Sequence, residues 1–168
     1  MPLEMNYCMQ CGEKLEIREH PEEGPIPYCP KCESYRHPIF NTAVSMVVMN
    51  AQRDQVLLIQ QYGRPSYILV AGYITRGEDA EDAVRREVKE ETGLTVETVT
   101  FNRSHYFEPS NTLMLNFECT VKDMDVHENQ EVDRWKWFSL EEALKNIRPN
   151  SLAEQFLQYY CKKREGEV

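Results

Sequence analysis

The most informative part of the chain is residues 72–94, which read GYITRGEDAEDAVRREVKEETGL. No proline or glycine interrupts Asp79 to Thr92, and alanine, glutamate, arginine and valine dominate there, so this part is predicted to be an α-helix. Gly93 supplies the signal that ends the helix. At about 100° per residue, one face of the helix is apolar. The residues on that face are Ala80, Ala83, Val84 and Val88.

Acidic side chains of this helix fall where apolar ones are expected. Glu87 and Glu91, four residues apart, point along the apolar face, and Glu90 lies at its margin. Like charges at this spacing repel, and a carboxylate aimed at a core is costly unless it is paired or bound to a metal. One cation, Arg86, cannot neutralise three carboxylates. An acidic, solvated helix end is the alternative, but a divalent cation held by hard oxygen ligands explains the pattern better.

The same stretch resembles the Nudix box, the sequence signature of the Nudix hydrolases. It matches that signature at nine positions with fixed spacing: Gly72, Glu78, Arg86, Glu87, Val88, Glu90, Glu91, Gly93 and Leu94. Members of the family hydrolyse nucleoside diphosphates linked to a further group, with Mg²⁺ or Mn²⁺ held on this loop and helix. The resemblance implies an α/β fold, the Nudix α/β/α sandwich with a mixed sheet.

The resemblance also implies roles for the residues of the box. Metal contacts are expected from Glu87, Glu90, Glu91 and the carbonyl oxygen of Ala71. Either Glu87 or Glu91 is expected to double as the general base. Glu78 and Arg86 are expected to form an ion pair that fixes the loop against the helix. Clustered hard carboxylates and one positioned base are what metal-assisted hydrolysis of a pyrophosphate bond requires.

The composition of the chain argues against several other functions. No apolar run approaches the roughly 20 residues that a membrane span needs, and Met1–Glu4 lacks the basic and apolar parts of a signal peptide. A cytoplasmic location is therefore expected. The net charge of −9 argues against tight binding to nucleic acid, which depends on many lysine and arginine contacts to phosphate. An anionic substrate must then be met by metal ions and local basic groups.

Four of the six cysteines form two Cys-x-x-Cys pairs. These cysteines are Cys8, Cys11, Cys29 and Cys32. The arrangement is a zinc-ribbon pattern, in which two tight turns supply four sulfur ligands to a structural Zn²⁺. Disulfide bonds are the alternative, but a chain without an export signal is expected in a reducing compartment. Residues 1–37 are therefore predicted to form a zinc ribbon, and residues 38–168 the Nudix hydrolase domain.

The predicted ribbon carries seven acidic residues against four basic ones. Because it also lacks interleaved basic and aromatic residues, a structural or dimer-forming role is expected rather than binding to nucleic acid. A four-cysteine ribbon before a Nudix domain resembles the NADH pyrophosphatases, as does the joining segment 35–38. Those enzymes usually carry a further N-terminal domain, which these 168 residues do not include, and they are commonly homodimers. A homodimer is therefore expected.

The remainder of the chain alternates apolar runs with turn signals, as in a mixed α/β domain. Strands are predicted at residues 42–49, 55–61, 67–71, 96–106, 112–121 and 134–138, and helices at 139–147 and 151–163. Ser139 and Glu142 form a capping box at the start of the first of these helices. Cys119 and Cys161 are expected to be core or near-surface thiols rather than metal ligands.

Further site residues come from the resemblance to NADH pyrophosphatases. Tyr73 matches an aromatic position that can stack on the base of the substrate, and Glu131 resembles a metal-binding carboxylate that many relatives supply before a Trp-aromatic pair. Those enzymes carry Ser-Gln-Pro-Trp-Pro-Phe-Pro-x-Ser after the box, where this chain reads SHYFEPSNT at 104–112. Ser104 agrees, and Phe107 stands in place of Trp, but the three prolines are not reproduced. A half-buried loop tyrosine and an exposed loop glutamate are the alternatives for Tyr73 and Glu131.

The predicted function is metal-dependent hydrolysis of a pyrophosphate bond in a small nucleoside diphosphate derivative, with a nucleoside monophosphate as product. NADH or NAD, ADP-ribose, FAD and nucleotide sugars are all candidate substrates. A non-catalytic, ligand-sensing Nudix domain is one alternative, although such domains typically lose box glutamates that this chain keeps. Decapping of RNA with a dinucleotide 5′ end is another alternative, which the acidic charge disfavours.

Overall fold

The computed structural model describes residues 5–127 and 130–167. The chain divides into two compact units. One unit contains the chain through Asn41 together with Phe107–Thr112, and the other contains Thr42–Tyr106 and the chain from Leu113 onwards. The helices in the described part have 7, 13 and 14 residues, and none of them is long and apolar enough to cross a membrane.

The N-terminal unit contains a small antiparallel sheet with its strands in chain order. The strands are β1 (Glu16–His20), β2 (Gly24–Cys29) and β3 (Ser34–Tyr35). The rings of Tyr28 and Tyr35 meet edge to face on neighbouring strands, with their centroids 5.1 Å apart. Among residues 5–41, Cys8 and Cys29 alone are buried. Apolar packing therefore contributes little to the stability of this segment, which needs another source of cohesion.

The larger unit is built on a mixed sheet. Its strands are β4 (Asn41–Asn50), β5 (Gln55–Gln61), β6 (Val70–Tyr73), β7 (Val96–Phe107), β8 (Thr112–Val121) and β9 (Val132–Ser139). They are ordered β7-β8-β4-β5-β9, and β6 pairs with β4. Strand β4 is buried throughout from Ala43 to Asn50. Its largely apolar sequence is typical of a strand that is covered on both faces.

Three helices cover the two faces of this sheet. They are α1 (Ala80–Thr92), α2 (Leu140–Asn146) and α3 (Leu152–Glu165). Side chains of β4 alternate between two cores: Val44 and Met46 join the core that includes α1, whereas Val47 and Met49 join the core that includes α2 and α3. Because successive side chains of a strand point to opposite faces, helices lie on both sides of the sheet. The predicted α/β/α sandwich is confirmed.

The helices begin and end where the sequence predicts their caps. α1 ends at Gly93, whose φ of 73° is left-handed and whose N–H donates to the Lys89 carbonyl oxygen. α2 follows the predicted capping box, in which the Ser139 side chain accepts from the Glu142 backbone N–H and the Glu142 side chain accepts from the Ser139 backbone N–H. The boundaries of all three helices lie within two residues of the predicted ones.

Two strands begin at different residues from those predicted. β6 begins at Val70 rather than at Tyr67, because Tyr67 and Ile68 pair with segments other than β4. Ile68 bridges to Ile59 in β5, and Tyr67 bridges to Ile147 at the end of α2. β9 begins two residues earlier than predicted, because its pairing with β5 continues past a bulge. The other four strands of the large sheet match the prediction to within one residue.

Candidate active site

The loop between β6 and α1 is closed by a carboxylate. Gly77 has a left-handed φ of 84°, and the Glu78 N–H donates to the Thr75 carbonyl oxygen at 3.2 Å. The Glu78 carboxylate turns back over the loop and accepts from both the N–H and the hydroxyl of Thr75, each at 3.0 Å. The chain therefore reaches the start of α1 in a fixed conformation.

Arg86 connects this loop to the glutamates of α1. Its Nε and Nη2 donate to the two carboxylate oxygens of Glu78 at 2.7 and 2.9 Å, and Nη2 also donates to the Tyr73 carbonyl oxygen at 3.0 Å. Its Nη1 donates to Glu87 Oε1 at 2.6 Å and to Glu90 Oε2 at 3.1 Å. The hydrogen bond from Arg86, supported by those from Thr75, lowers the pKa of Glu78 to about 2. The expected pair between Glu78 and Arg86 is present, and it extends to the helix.

The position of the Glu87 carboxylate depends on Gly72. Pairing between β6 and β4 sets Gly72 opposite Val44. A β-carbon built on Gly72 would overlap with the carboxylate group of Glu87. Only glycine leaves room for this side chain, so the glycine of the box is explained by a close approach. Burial raises the pKa of Glu87, although Arg86 acts in the opposite direction.

Glu91 is the buried carboxylate of the site. The residue is 4% exposed, and its Oε2 has no hydrogen-bond partner among the residues that the structure describes. Burial raises its pKa to about 8; repulsion from Glu87, Glu131 and Glu90 adds to this effect, whereas the nearby Gln61 carboxamide favours the charged form. An acceptor buried in this way is costly until a donor or a cation reaches it.

These carboxylates fit a hard divalent cation. Glu91 offers a buried oxygen without a hydrogen-bond donor. The carboxylate of Glu87 occupies a space that is open only because residue 72 is glycine. Both are on one face of α1, one helical turn apart. Carboxylate oxygens are the ligands that Mg²⁺ and Mn²⁺ prefer. Within the described ranges, the acidic oxygens do not converge on one point as the cysteine sulfurs of the N-terminal unit do, and Arg86 holds one oxygen each of Glu87 and Glu90.

A cleft of about 480 Å³ opens over these carboxylates. The predicted site residues that line it are Ala71, Tyr73, Arg86, Glu87, Glu90, Glu91 and Glu131. The structure thus brings together residues from β6, from α1 and from the segment before β9. Tyr73 is 58% exposed, which leaves its ring available for stacking at the rim of the cleft.

Two further residues of the cleft, Gln61 and Tyr62, were not singled out in the sequence. Gln61 is the last residue of β5, and the chain reverses directly after it, where Tyr62 and Gly63 have left-handed φ values of 54° and 68°. The Tyr62 hydroxyl donates to Glu131 Oε2 at 3.0 Å, and this hydrogen bond raises the pKa of Tyr62. A turn was foreseeable from the glycine after an apolar run. Its contact with Glu131 was not, because the two residues are 69 positions apart.

The two residues proposed from the degenerate motif lie elsewhere. Ser104 is exposed on β7 and does not line the cleft. Phe107 belongs to the N-terminal unit and is 37% exposed. The structure therefore does not bring Ser104 to the carboxylates of α1.

The four cysteines of the N-terminal unit form a second cluster. Their Sγ atoms all lie within 4.8 Å of one another. The Sγ atoms of Cys8 and Cys32 are 4.0 Å apart and those of Cys11 and Cys29 are 3.5 Å apart, whereas a disulfide bond is about 2.05 Å long. Four sulfurs placed tetrahedrally at about 2.3 Å from a metal are about 3.8 Å apart. The cluster has the donor set and spacing to hold a metal ion, and Cys119 and Cys161 lie outside it.

Hydrogen bonds hold two of the sulfur atoms of this cluster in place. Arg36 Nε donates to Cys8 Sγ at 3.3 Å, and the Cys32 N–H donates to Cys29 Sγ at 3.3 Å. Burial raises the pKa of Cys8, but the Arg36 hydrogen bond and backbone donors outweigh this effect and lower it. The pKa of Cys32 is raised, because its hydrogen bond to Cys11 and its burial favour the thiol. A bound cation would favour the thiolate form of these cysteines, which is the form that ligates a metal.

The sequence of this chain is similar to those of known Nudix proteins. Residues 40–159 match the NUDIX domain family. Over 163 residues the chain is 28% identical to the NAD-capped RNA hydrolase NudC of Pseudomonas aeruginosa, a match that covers 95% of this chain and 57% of the relative. Over 151 residues it is 33% identical to Nudix hydrolase 19, chloroplastic, of Arabidopsis thaliana, with coverage of 84% and 34%. The chain therefore spans less than two thirds of the length of these curated relatives.

Solved structures show the same fold. A NUDIX hydrolase from Nitrosomonas europaea matches with a TM-score of 0.69 and 22% identity, over 97% of this chain and 94% of that chain. A UDP-X diphosphatase matches with a TM-score of 0.66 and 17% identity, over 79% and 66%. The family match covers most of the chain, and it includes both the sandwich and the loop and helix that carry the glutamates. The chain belongs to the Nudix family.

Proposed function

We propose that this protein catalyses metal-dependent hydrolysis of a pyrophosphate bond in a nucleoside diphosphate linked to a further group, and so releases a nucleoside monophosphate. The observation that carries the proposal is the buried Glu91 carboxylate, whose Oε2 lacks a donor, one helical turn from Glu87. A cation beside a carboxylate in such a place would offset the cost of burying its charge. A divalent cation between carboxylates is the usual arrangement for phosphoryl chemistry.

Four carboxylates and one carbonyl oxygen would hold Mg²⁺ or Mn²⁺ in this cleft. They belong to Glu87, Glu90, Glu91, Glu131 and Ala71. When bound, such ions neutralise the charge that develops on phosphate oxygens and lower the pKa of coordinated water. The donors of Arg86 are directed at Glu78, Glu87, Glu90 and the Tyr73 carbonyl oxygen, so Arg86 is a positioning residue in this proposal.

The remaining roles follow from the walls of the cleft. Either Glu87 or Glu91 accepts the proton of the attacking water. Tyr73 stacks on the base of the substrate at the rim. Tyr62 holds the Glu131 carboxylate over the cleft through its hydroxyl group. The ion pair between Arg86 and Glu78 keeps the loop and the helix in register while substrate binds and leaves.

NAD-type dinucleotides are the first candidates for the substrate. The similar protein from Pseudomonas aeruginosa is a hydrolase of NAD-capped RNA, and NAD and NADH contain the same pyrophosphate linkage. ADP-ribose, FAD and nucleotide sugars contain it too. They remain candidate substrates, because this chain lacks the three prolines of the motif found in NADH pyrophosphatases.

A panel assay tests the proposal directly. The purified protein is incubated with NADH, NAD, ADP-ribose, FAD and a nucleotide sugar, with Mg²⁺ or Mn²⁺, and nucleoside monophosphate is measured by chromatography. We expect metal-dependent turnover of at least one compound, and a loss on the order of 10³-fold for Glu91→Gln. The exposed Glu97 on β7 provides the matched control, Glu97→Gln, which should retain wild-type turnover. A folded wild-type protein that hydrolyses no member of the panel would contradict the proposal.

Removal of an NAD cap from RNA is the second candidate function, favoured by the similarity to NudC. The net charge of −9 works against it, because an RNA chain must be held mainly through its phosphates. The two candidates differ in their response to salt. The KM for a short capped RNA should rise steeply between 50 and 200 mM salt if several phosphates are contacted, whereas the KM for free NAD should change little.

We further propose the organisation that the sequence predicts. Residues 1–37 form a ribbon whose four cysteines hold a structural Zn²⁺, and residues 38–168 form the catalytic domain. The four Sγ atoms lie within 4.8 Å of one another, which supports a shared metal ion, and the scarcity of buried residues in this segment explains why it needs one. A homodimer and a cytoplasmic location complete the proposal. Sedimentation of the purified protein at micromolar concentration tests the dimer.

A further inference from the structure

A smaller cavity of about 160 Å³ adjoins the acidic cleft and has the opposite character. The two cavities share Gln61 and Tyr62 in their walls. The smaller one is otherwise lined by Arg64, Ser66, Ile68 and Arg148. No carboxylate is among its lining residues, whereas the acidic cleft is lined by four glutamates. Its polar groups are therefore cations and neutral hydrogen-bond donors.

The backbone places both arginines at this cavity. Beyond β5, the chain reverses at Tyr62 and Gly63, and the Arg64 N–H closes the turn on the Gln61 carbonyl oxygen at 3.1 Å. The Gly63 N–H also donates to Asp133 Oδ2 at 2.6 Å, and this contact secures the turn to β9. The backbone position of Arg64 is therefore set by a short, hydrogen-bonded turn and not by a long loop.

Arg148 reaches the cavity from the end of α2. The returning segment pairs with β5 through Ile68 and Ile59, and on its other side Tyr67 bridges to Ile147. The Arg148 N–H then donates to the Tyr67 carbonyl oxygen at 2.8 Å. The backbone at both arginines is thus fixed by hydrogen bonds, so a ligand would have to order only their side chains.

Neither arginine is neutralised by the protein. Within residues 5–127 and 130–167, no carboxylate lies within ion-pair distance of the guanidinium group of Arg64 or Arg148, and neither group makes a side-chain hydrogen bond. By contrast, Arg86 is fully occupied by its acidic neighbours. Both residues are exposed, so their guanidinium groups are accessible to a ligand, and they meet at one cavity in a chain with a net charge of −9. They are suited to an anion, because arginine binds phosphate through parallel N–H donors.

We propose that Arg64 and Arg148 form a phosphate subsite, which binds the phosphoryl group of the substrate that lies further from the carboxylates of α1. This inference rests on the proposed pyrophosphatase function and adds to it the residues that hold the second phosphate. The Ser66 hydroxyl group is a further donor for the same group. The cavity volume exceeds that of several water molecules, at about 30 Å³ each, and accommodates one phosphoryl group.

The subsite explains how an acidic protein retains an anionic substrate. Metal ions held by the glutamates of the acidic cleft would supply positive charge on one side of Gln61 and Tyr62. Arg64 and Arg148 supply two positive charges on the other side of Gln61 and Tyr62. Because the arginines do not contact the reacting water, they are expected to set substrate affinity rather than the rate of the chemical step.

The test combines a binding measurement with a kinetic one. Binding of inorganic pyrophosphate is measured by calorimetry in buffer freed of divalent cations, for the wild type, Arg64→Gln, Arg148→Gln and the double variant. Arg103→Gln is the control, because Arg103 lies on β7 with its guanidinium group over the ring of Tyr159 and lines neither cavity. We expect about a tenfold or greater loss of affinity for each subsite variant, wild-type affinity for the control, and unchanged melting temperatures.

The kinetic arm uses the best substrate of the panel. Each subsite variant should raise KM by about tenfold or more with kcat within about threefold of wild type, and Arg64→Lys should recover part of the loss. Wild-type affinity and KM in the double variant would overturn the subsite. An equal loss of affinity for Arg103→Gln would also overturn it, because it would show that positively charged side chains in general, and not a specific site, attract pyrophosphate. Arginine-dependent binding of pyrophosphate by a protein that hydrolyses nothing in the panel would leave the subsite standing and remove the proposed function.

Discussion

The carboxylate of Glu87 occupies the space that a β-carbon on Gly72 would fill. The backbone of Gly72 is not left-handed, so alanine is compatible with its conformation. The three atoms nearest to that β-carbon all belong to the end of a flexible side chain, which can rotate away. We therefore expect Gly72→Ala to melt within a few degrees of wild type and to lose turnover by on the order of 10²-fold, because Glu87 leaves its place. Paired measurements of kcat and Tm check this.

A double variant shows whether Gly72 acts through Glu87. In protein that already carries Glu87→Gln, the addition of Gly72→Ala should cost little further activity, because residues that act as one unit are not additive. If the two losses multiply instead, Gly72 contributes to turnover by some route other than the position of Glu87.

The second prediction concerns the charge balance of α1. Without divalent cations, Glu91→Gln should be as stable as wild type or more stable, because glutamine avoids the cost of keeping a carboxyl group protonated, or charged, at this buried position. The same variant should lose the thermal stabilisation that Mg²⁺ gives to wild type, together with most of its turnover. A variant that melts well below wild type without metal, and that keeps its response to Mg²⁺, would show that Glu91 is structural.

Glu91 also gives the cation-free protein a specific dependence on pH. Its pKa rises from the ordinary 4.5 to about 8 on folding. Between these values the folded state keeps a proton that the unfolded state has lost, so this group stabilises the fold fully below about pH 4.5. The contribution is lost as pH rises towards 8. We expect the free energy of unfolding to fall across this window in wild type and much less in Glu91→Gln, as urea titrations at several pH values would measure.

The third prediction separates a metal-binding Glu131 from a surface glutamate. Glu131→Gln should depress turnover, because its carboxylate lines the cleft with the carboxylates of α1. Tyr62→Phe removes the hydroxyl group that donates to Glu131 and should have a smaller effect of the same kind. The exposed Glu141 in α2, which pairs with Lys145, provides the control Glu141→Gln. A turnover rate for Glu131→Gln within about twofold of wild type, which is roughly 0.4 kcal/mol in activation free energy, would show that Glu131 is an exposed loop residue without a role in catalysis.

The fourth prediction concerns the ribbon. Cys29→Ser should release zinc and lower the thermal stability of the N-terminal unit, because Cys29 is one of two buried residues in that segment and a structural metal contributes directly to folding. Elemental analysis of protein purified without chelator should find one zinc per chain in wild type. Activity should survive in part, because the ribbon supplies no carboxylate to the cleft. Complete loss of activity in a well-folded Cys29→Ser protein would contradict that last expectation.

The sequence was sufficient for the elements whose causes are local. Helix α1 was predicted nearly residue by residue because helix formers, the apolar face and Gly93 all lie within one stretch. The burial of Glu91 followed from the same helical geometry. Four strands of the large sheet matched because their apolar runs are bounded by polar turns.

The parts that were missed depend on pairing between distant segments. Nothing near Tyr67 in the sequence shows that it bridges to Ile147, and so the late start of β6 was not foreseen. The same pairing brings Arg148 to the cavity beside Arg64, 84 positions earlier in the chain. Local periodicity reports which face of an element is apolar, but it does not report which neighbours that element meets.

The reversal of the chain after β5 has a consequence for how such an enzyme can change. The segment from Tyr62 to Ile68 contributes Arg64 but no carboxylate, whereas the spacing from Gly72 to Glu91 is fixed at one end by the pairing with β4 and at the other by Arg86. Insertions or deletions between Gly63 and Ser66 would alter the surroundings of Arg64, whereas the residues from Gly72 to Glu91 would keep their places. With Arg64 as a substrate-binding residue, related enzymes can therefore differ in substrate preference at these few positions while the carboxylates of α1 stay unchanged.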